Sequence, residues 1–448
     1  MQRAGREEQA RPGRLRVAAV WLCVSVAFGA PGGPRMAGAQ TAAPKNTGPV
    51  VTASSRVVRV TLAPAAEWST YHGDPSLRGV ASGGLGDPAK LHRLWRFRAG
   101  TSVSVPPVVG DGRVYFVTGD GSAGAVDLKG TRIWLVKPVP PSAPVKASPA
   151  AGVAKDALPA AANAKGATAQ LESLVAPPLY AQGLVVVGGT SGTLYGLDAA
   201  TGAQHWAVPL GGGIQGAPNA LGAPGTADAA VIAVTQPDGV VHAVSLLDGR
   251  ALWSSRPTNR TDGSPAVGSG AIAYGNCDAA LHVFDESGGV FRLSIPLGEN
   301  AQIAGGVAVA DGQVFAGNRS GNAVCADILT GGLVWTAELS PTEVFTTPAV
   351  DRERVVLGAK DGTVYALSRD KGQVLWRFAA GTEAGSCAIA GEHVVVTAAG
   401  KLFVLQAKDG TKVWSADVSD EITSPAVAGG RILVGTGEGD IVAFGTGE

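Results

Sequence analysis

The sequence predicts an all-β repeat fold, and two features carry that prediction. Tryptophans recur in a series whose successive steps are 39, 72, 47, 82, 41 and 38 residues. Between them, turn pairs such as Asp361-Gly362 and Asp238-Gly239 separate short β-branched runs, and no long segment has helical periodicity. A repeat near 40 residues, built of short strands and tight turns, is typical of a β-propeller blade. The series consists of Trp95, Trp134, Trp206, Trp253, Trp335, Trp376 and Trp414.

Each repeat is predicted to form one four-stranded antiparallel blade. In the last repeat, three short runs lie in Pro425–Ala428, Ile432–Gly435 and Ile441–Phe444, with glycine-rich turns between them. Elsewhere a third turn, Asp-x-x-Thr-Gly, is followed four residues after its glycine by the tryptophan that starts the fourth strand. We expect the aspartate to cap this turn and the glycine to supply its positive φ. We expect the indole to cover the edge of the neighbouring blade, in preference to stacking on a ligand.

The number of repeats predicts eight blades. The 82-residue step is two repeats long, with Phe291 or Leu293 in place of the missing tryptophan, and the 72-residue step contains an insertion. Three strands follow Trp414 without a fourth, while Leu91–Gly100 is an outer strand without a blade. We expect this N-terminal strand to pair with the three C-terminal strands, because an open ring would leave strand edges and blade faces uncovered.

The chain is divided by composition into four parts. Residues 1–39 resemble a signal peptide, with basic residues before the short apolar core Val17–Ala30 and small residues near Ala39; an uncleaved membrane anchor is the alternative. Residues 40–66 are expected to form a flexible tail, and residues 67–448 the propeller. Within the propeller, the Ala/Pro/Lys-rich stretch at about 137–176 is expected to be a disordered insertion, with a partner-binding arm as the alternative.

Charge and cysteine content exclude some classes of function. Lys plus Arg and Asp plus Glu each number 36, so the net charge is zero and does not favour nucleic acid or an anionic membrane as a partner. After signal cleavage the chain would keep Cys277, Cys325 and Cys387. Their apolar surroundings predict buried, unreactive thiols. Whether any of the three forms a disulfide is left open.

Acidic residues recur just before the innermost strand of several repeats. Equivalent positions in a ring converge on one mouth of the central channel, so these carboxylates could form an acidic mouth that attracts cations or basic segments. The alternative is that they are solvated loop residues without a common role. The set consists of Glu172, Asp262, Glu299, Glu343, Glu383 and Glu421.

No catalytic or metal-binding motif stands out in the sequence. The six histidines are spread over several repeats, and His242 and His282 occupy matching third-strand positions, which repeat equivalence explains better than a metal site. The chain contains no G-x-S-x-G, H-E-x-x-H or phosphate-binding loop. We therefore assign no catalytic, cofactor-binding or metal-binding residues.

The repeats resemble the pyrroloquinoline-quinone (PQQ) type of propeller repeat, Ala-x-Asp-x-x-Thr-Gly-x-x-x-Trp. Gly196–Trp206 and Cys325–Trp335 match it closely, and Trp68–Ala81 is similar to the lead-in segment of secreted members. The resemblance extends from about Trp68 to Glu448 and implies an eight-bladed propeller. The family contains quinoprotein dehydrogenases and non-catalytic scaffolds of the BamB type, so the repeat alone does not assign a function.

This chain lacks residues that are typical of the quinoprotein dehydrogenases of the family. Those enzymes typically carry a vicinal Cys-Cys disulfide, Ca²⁺ ligands and a catalytic aspartate, whereas this chain has no Cys-Cys pair and no C-x-x-C-H haem motif. We therefore predict a non-catalytic, monomeric, periplasmic or secreted scaffold that binds proteins of the cell envelope without a cofactor. The alternatives are a dehydrogenase dependent on PQQ and calcium, and a ligand-binding or sensor propeller.

Overall fold

The computed structural model describes residues 68–141, 173–222 and 229–447 and confirms the predicted fold class. Within these residues the strands form eight separate four-stranded antiparallel sheets, one for each blade. The single helical element in the described ranges is a 3-10 turn at Pro88–Lys90. None of the described helical residues form a segment long and apolar enough to cross a membrane. The predicted signal peptide, the predicted tail and Glu172 lie outside the described residues.

The closing strand β1 (His92–Arg98) precedes the first complete blade in the chain. The strands of blades 1 to 4 run in order from the innermost to the outermost position. They are β2 (Val108–Gly110), β3 (Arg113–Val117), β4 (Ala123–Asp127), β5 (Arg132–Val136), β6 (Leu179–Ala181), β7 (Leu184–Gly188), β8 (Thr193–Asp198), β9 (Gln204–Pro209), β10 (Asn219–Leu221), β11 (Ala230–Val234), β12 (Val241–Ser245), β13 (Ala251–Ser254), β14 (Ala266–Gly268), β15 (Ala271–Gly275), β16 (Ala280–Asp285) and β17 (Phe291–Pro296).

Blades 5 to 7 repeat this arrangement, and blade 8 contributes three strands from the C-terminal part of the chain. The strands are β18 (Ala308–Ala310), β19 (Gln313–Gly317), β20 (Asn322–Asp327), β21 (Leu333–Glu338), β22 (Ala349–Val350), β23 (Arg354–Gly358), β24 (Thr363–Ser368), β25 (Val374–Ala379), β26 (Ala388–Ala390), β27 (His393–Ala398), β28 (Lys401–Gln406), β29 (Lys412–Asp417), β30 (Ala426–Ala428), β31 (Arg431–Gly435) and β32 (Asp440–Gly445).

The ring closes as the sequence predicts, because β1 supplies the fourth strand of blade 8. It pairs antiparallel with β32, with Arg98 opposite Asp440 and His92 opposite Gly445. The ion pair between Arg96 and the buried Asp440 adds a side-chain contact to this junction. The two ends of the propeller are therefore joined within one sheet, which leaves no blade without its outer strand.

A one-residue register shift recurs between the third and fourth strands of every blade. In blade 5 it lies between Cys325 and Ala326, so Trp335 pairs with Cys325 and Leu333 with Ala326. The skipped residue is Val334, which is largely exposed, whereas the adjacent Trp335 is buried. A β-bulge re-aims the side chains around it. The bulge thus turns the tryptophan toward the next blade.

The same register identifies the residue that replaces tryptophan in blade 4. Leu293 pairs with Val283 just as Trp335 pairs with Cys325, whereas Phe291 pairs with Phe284. Of the two residues that the sequence left open, Leu293 is therefore the equivalent one.

The hydrophobic core lies between the blades rather than within one of them. Tyr115 of blade 1 stacks on Tyr180 of blade 2 with ring centroids 5.4 Å apart and planes 5° apart. Val314 and Val324 of blade 5 belong to the same buried cluster as Leu281 of blade 4. Each sheet face is covered by its neighbour, and burial of this apolar surface stabilises the ring.

The ends of the predicted insertion are partly ordered. Val139 exchanges two hydrogen bonds with the side-chain amide of Gln204, which lies on the outer strand of blade 2. On the far side, Leu174 and Ala176 are already buried. The chain therefore re-enters the core before residue 176, which is the expected end of the insertion.

Candidate functional site: the filled channel and the upper face

Alternation of antiparallel strands gives the ring two loop faces. The upper face, as we define it, carries the loops between consecutive blades and the turns between second and third strands, for example residues 339–348 and 359–362. The lower face carries the first-to-second and third-to-fourth strand turns, for example residues 351–353 and 369–373. Functional residues in rigid repeat scaffolds concentrate in such loops.

The central channel is occupied by the chain's own lead-in segment. We call residues Trp68–Ala81 the strap. Its backbone carbonyls accept hydrogen bonds from the innermost strands of six blades. The donors are the amides of Val109, Tyr180, Val267, Val309, Val350 and Ile389. An innermost strand has one free edge, so the strap satisfies backbone donors that would otherwise face the channel.

Side chains add further contacts between the strap and the ring. The hydroxyl of Tyr71 lies 3.0 Å from both Thr347 Oγ1 and Ser386 Oγ, which bridges blades 6 and 7. Thr70 donates to the carbonyl of Pro218, and the Asn219 side chain donates to that of Pro75, both with blade 3. Thr70 and Asn219 are fully buried. The strap is therefore held to blade 3 as well as to the six blades whose backbone it contacts.

His72 fastens the strap at its centre. Its Nδ1 lies 2.8 Å from the carbonyl oxygen of Leu77, and its Nε2 lies 2.8 Å from that of Cys387 in blade 7. Desolvation by burial lowers the pKa of His72, against the two carbonyl contacts and Asp74, which raise it. A neutral imidazole can donate to one of the two carbonyls but not both. Gly79 packs so closely on this ring that a Cβ there would lie 2.3 Å from its Cε1 atom.

The half-buried His242 predicts that stability falls at mildly acidic pH. Burial lowers the pKa of His242 in blade 3 to about 4, below the 6.5 of the unfolded chain. The unfolded state then binds more protons, so this contribution is complete above pH 6.5 and is lost as pH falls toward 4. We expect His242→Gln to remove about 1–2 kcal/mol of the change in unfolding free energy between pH 7 and 5. Denaturant titrations at both pH values measure this, with the exposed His205→Gln as control; equal pH dependence in both variants would contradict it.

The structure places three of the six predicted acids at the same position of three successive blades. Glu383 and Glu421 each precede the residue that bridges to the end of the second strand in blades 7 and 8. Glu343 holds the same position in blade 6, because its carbonyl makes the same hydrogen bond as that of Glu421. The carbonyls of Glu343 and Glu421 accept hydrogen bonds from Lys360 and Gly437 in the turns beside them. All three therefore lie on the upper face, where Glu383 and Glu421 are exposed.

The remaining described acids do not share that position. In blades 4 and 5 it is held by Arg260 and Gln302, whose carbonyls make the same hydrogen bond. Asp262 lies two residues further along, with its side chain only 3% exposed and 3.2 Å from Arg260 Nε. Gln236 Nε2 donates to the same Asp262 oxygen at 2.7 Å. Glu299 lies in the exposed loop that precedes Gln302. A common acidic mouth stays a prediction.

The tryptophans of the series make repeated contacts with the following blade. The indole Nε1 of six of them donates to a backbone carbonyl at 2.8–3.0 Å. In five of these pairs the acceptor follows the third strand of the next blade, and Trp414 instead donates to Leu91, just before β1. The donor and acceptor pairs are Trp95–Leu128, Trp134–Ala199, Trp206–Leu246, Trp335–Arg369, Trp376–Ala407 and Trp414–Leu91.

The turn after the third strand has the sequence Asp-x-x-Thr-Gly at Asp198 and at Asp327, and its aspartate caps it. Asp327 Oδ1 accepts hydrogen bonds from the amides of Leu329 and Thr330 and from the Thr330 hydroxyl, which confirms the predicted cap. These bonds, with the Thr330 amide first, lower the pKa of Asp327. The turn glycine has a positive φ and lies against the tryptophan of the preceding blade, as Gly410 does against Trp376.

A methyl group on this glycine is expected to separate two blades. Gly372 has a φ of +68°, and a Cβ there would lie 2.6 Å from Cε3 of Trp335. We expect Gly372→Ala to lower the unfolding free energy by about 1–3 kcal/mol, from backbone strain and ring displacement. Gly381→Ala is the matched control, since Gly381 has a φ of +91° and no atom within 4 Å of that Cβ. If chemical denaturation gave equal losses of unfolding free energy for Gly372→Ala and Gly381→Ala, the contact between Gly372 and the Trp335 ring would contribute nothing to the effect.

The cysteines and histidines agree only partly with expectation. Cys325 and Cys387 are buried free thiols, and burial raises the pKa of each to about 12. The expectation of a buried strand position was wrong for Cys277, which lies half-buried in the turn after β15 because that strand ends at Gly275.

His242 and His282 lie at matching positions on β12 and β16, as predicted. The described ranges hold no cluster of three or more His, Cys, Asp or Glu side chains suited to a metal ion.

Eight blades fastened by a recurring turn and indole define a propeller of PQQ-like repeats. The chain belongs to the family described as outer membrane protein assembly factor BamB, whose model matches residues 87–174, 161–304 and 297–448. Relatives named BamB include that of Yersinia pestis, 26% identical over 55% of this chain and 68% of its own length. That of Burkholderia pseudomallei is 28% identical over 68% of this chain and 82% of its own length.

Solved structures support the same fold. BamB from Moraxella catarrhalis superposes with a TM-score of 0.60 and 20% identity, over 79% of this chain and 97% of its own. A quinohemoprotein alcohol dehydrogenase from Comamonas testosteroni gives a TM-score of 0.65 with 14% identity, over 88% of this chain and 83% of its own. Similarity at this identity shows the fold alone. The sequence relatives, by contrast, group the chain with the assembly factors, which favours a non-catalytic scaffold over a dehydrogenase.

Sequence reasoning missed the strap as a structural element. Trp68–Ala81 was recognised as a lead-in segment, but its place in the channel was not inferred. It has neither strand nor helix periodicity, and its partners lie as far away in sequence as Ser386 and Cys387. The usable signal is a concentration of Trp, Tyr, His, Gly and Pro just before the first blade.

Proposed function

We propose that this chain is a periplasmic scaffold of outer-membrane protein assembly, which binds partner proteins through its loop faces and catalyses no reaction. One observation carries the proposal: the family model described as BamB matches nearly every blade, from residue 87 to residue 448. The relatives are named as assembly factors. Propellers suit this role because a rigid ring presents many loops at fixed positions.

Export and oligomeric state belong to the same proposal. A signal peptide at residues 1–39 would export the chain, and the relatives are named as factors of outer-membrane protein assembly, which suits a periplasmic location. We propose that the mature chain is a monomer, since the two ends of its own ring complete blade 8. The insertion expected at about 137–176 separates blades 1 and 2 in the sequence, and its residues 142–172 lie outside the described residues.

The dehydrogenase alternative receives no support from the residues present. The Cys-Cys pair that the PQQ-type resemblance implies is missing from the sequence. The strap, with the Tyr71 hydroxyl between blades 6 and 7, fills axial space beside the innermost strands. The described residues therefore do not fit a bound quinone. The same filling disfavours a ligand-binding function that uses the channel.

Glu343, Glu383 and Glu421 are the residues that we propose for partner binding on the upper face. They give three successive blades a negative charge at one position, and Lys360 offsets only that of Glu343, at 3.5 Å. Carboxylates on a rigid rim favour association with a basic protein surface and raise its rate of encounter.

Cross-linking and affinity purification of the tagged chain from cell envelopes tests the proposal. Recovery of outer-membrane assembly proteins is expected with the unmodified chain. The variant Glu343→Lys/Glu383→Lys/Glu421→Lys should lose about tenfold in recovery, because reversed charge repels a basic partner. The matched control is Glu353→Lys/Asp370→Lys/Glu392→Lys, which alters three exposed acids in turns of the lower face and should recover the same partners.

Two results would contradict the scaffold function. The first is that purification of the tagged chain from envelope extracts enriches no assembly protein more than purification of an unrelated exported protein does. The second is alcohol oxidation by the purified chain after addition of PQQ and Ca²⁺, measured with an artificial electron acceptor. Equal loss of recovery in both triple variants would contradict partner binding by the upper face but would not contradict the scaffold function.

A further inference from the structure

The closing strand β1 differs from the other outer strands of the ring. Its sequence is His-Arg-Leu-Trp-Arg-Phe-Arg, and its seven residues make it the longest strand in the described chain. It pairs with β32 on one side and with no other described strand on its outer side. An edge strand of this kind offers a row of backbone N–H and C=O groups to another chain.

A groove lies on each side of this edge. The groove toward blade 7 has a volume of about 350 Å³, and its lining includes His92, Arg93, Arg96 and Trp414. Successive side chains of an added strand would point alternately into this groove and to the opposite side.

The opposite side of blade 8 carries the second groove. This groove toward blade 1 has a volume of about 470 Å³ and is lined by Leu94, Trp95, Leu128, Lys129 and Arg431 among others. The glycines Gly429 and Gly430 keep part of its wall free of side chains. The shape of the edge therefore fits an extended segment better than a helix, which would cover one side alone.

The charge of the two grooves points to an acidic occupant. Among the lining residues Arg93, Arg96, Lys129 and Arg431 are cations, whereas the one acid is Asp417, which lies 3.3 Å from Lys401. Arg96 is engaged by Asp440 and Glu438, while Arg93 has no ion pair within the described residues.

Arg431 adds an observation that does not depend on charge. Its Nη1 donates to the carbonyl of Gly429, but its buried Nε has no hydrogen-bond partner in the described ranges. A buried donor without a partner costs about 1–3 kcal/mol, so turning the Arg431 side chain toward an acceptor supplied by a ligand would relieve that cost. Charged residues on an edge strand ordinarily prevent aggregation, but that role requires neither the grooves nor this buried donor.

We propose that β1 receives an extended acidic segment of a partner protein as a fifth strand of blade 8. Acidic side chains of that segment contact Arg93 on the blade 7 side. Apolar side chains pack against Leu94 and Leu128 on the blade 1 side, with an acceptor within reach of Arg431. Main-chain hydrogen bonds to β1 supply the pairing, and the alternating side chains supply the specificity.

A fluorescein-labelled peptide of alternating Glu and Val residues, blocked at both ends, tests the proposal by fluorescence anisotropy with the full mature chain. We expect saturable binding that Arg93→Glu weakens about tenfold or more, by replacing attraction with repulsion. The matched control Arg377→Glu reverses an exposed arginine on the outer strand of blade 6 and should leave the affinity within about twofold.

Two further peptides separate strand pairing from general charge attraction. Each carries N-methyl groups on alternate amides, one set on each edge of the peptide. A fifth strand uses one edge only, so one methylated peptide should bind like the parent and the other should not bind. Absence of binding by the parent peptide would overturn the proposal. So would equal binding of both methylated peptides, or equal losses in Arg93→Glu and Arg377→Glu.

Discussion

Replacing Trp376 with alanine is expected to lower the free energy of unfolding by about 3–5 kcal/mol. The side chain belongs to blade 6, is 7% exposed and packs on the turn of blade 7, where Gly410 lies against the ring. Its Nε1 donates to the carbonyl of Ala407 at 2.9 Å. Alanine would leave a cavity between two blades and a buried carbonyl without its donor. Denaturant titration followed by circular dichroism measures the loss.

Two matched variants make that prediction specific to the contact between blades. Leu375→Ala changes the neighbouring residue, which is 52% exposed, and should alter the unfolding free energy by less than about 0.5 kcal/mol. Trp376→Phe keeps a ring but removes the donor, so its loss should fall between the two. An unfolding free energy for Trp376→Ala within error of Leu375→Ala would show that the indole does not fasten the blades.

Replacing Leu77 with alanine should lower the unfolding free energy by about 2–5 kcal/mol. Leu77 is fully buried in the strap and packs in the cluster of blades 4 and 5 with Ile303 and Val309. Its carbonyl also faces the His72 ring. A cavity at this place loosens the strap from the innermost strands, which then lose partners for their free edges. The free energy is again obtained from denaturant titration.

The neighbouring Arg78→Ala provides the control for the strap. Arg78 is exposed and pairs with Asp74 at the surface, so its loss should change stability by less than about 1 kcal/mol. If Leu77→Ala and Arg78→Ala had equal free energies of unfolding, the strap would occupy the channel without stabilising the innermost strands. Rapid amide exchange of Val267 and Val309 in Leu77→Ala alone would support its role in holding the innermost strands.

The sequence was informative where local chemistry alone dictates the structure. A turn with positive φ demands glycine, and an indole that covers a neighbouring blade recurs at the blade period, so Gly202 and Trp206 could be placed in advance. Ring closure followed from an outer strand without a blade at one end and a blade without an outer strand at the other. The choice between Phe291 and Leu293 required the bulge register, which the spacing does not contain.

Contacts between distant parts of the chain could not be obtained in that way. The strap bonds to the innermost strands of successive blades through backbone groups that carry no residue-type signature. The acids show an intermediate case, since Glu343, Glu383 and Glu421 occupy one repeat position but Asp262 lies displaced toward Arg260. Asp262 lies two residues after the shared position and Glu299 three residues before it, and composition does not reveal such shifts.

A disulfide across the junction of the ring tests the central claim most directly. Arg98 of β1 and Asp440 of β32 are opposite each other, although the residues are far apart in sequence. The claim of a closed ring predicts that Arg98→Cys/Asp440→Cys oxidises to an intramolecular disulfide in the folded protein, seen as faster migration in non-reducing electrophoresis and as one linked peptide. The pair Arg98→Cys/Lys412→Cys, with the second cysteine on blade 7, should stay reduced. Two thiols that remain fully open to alkylation in folded Arg98→Cys/Asp440→Cys would contradict closure of the ring by its own termini.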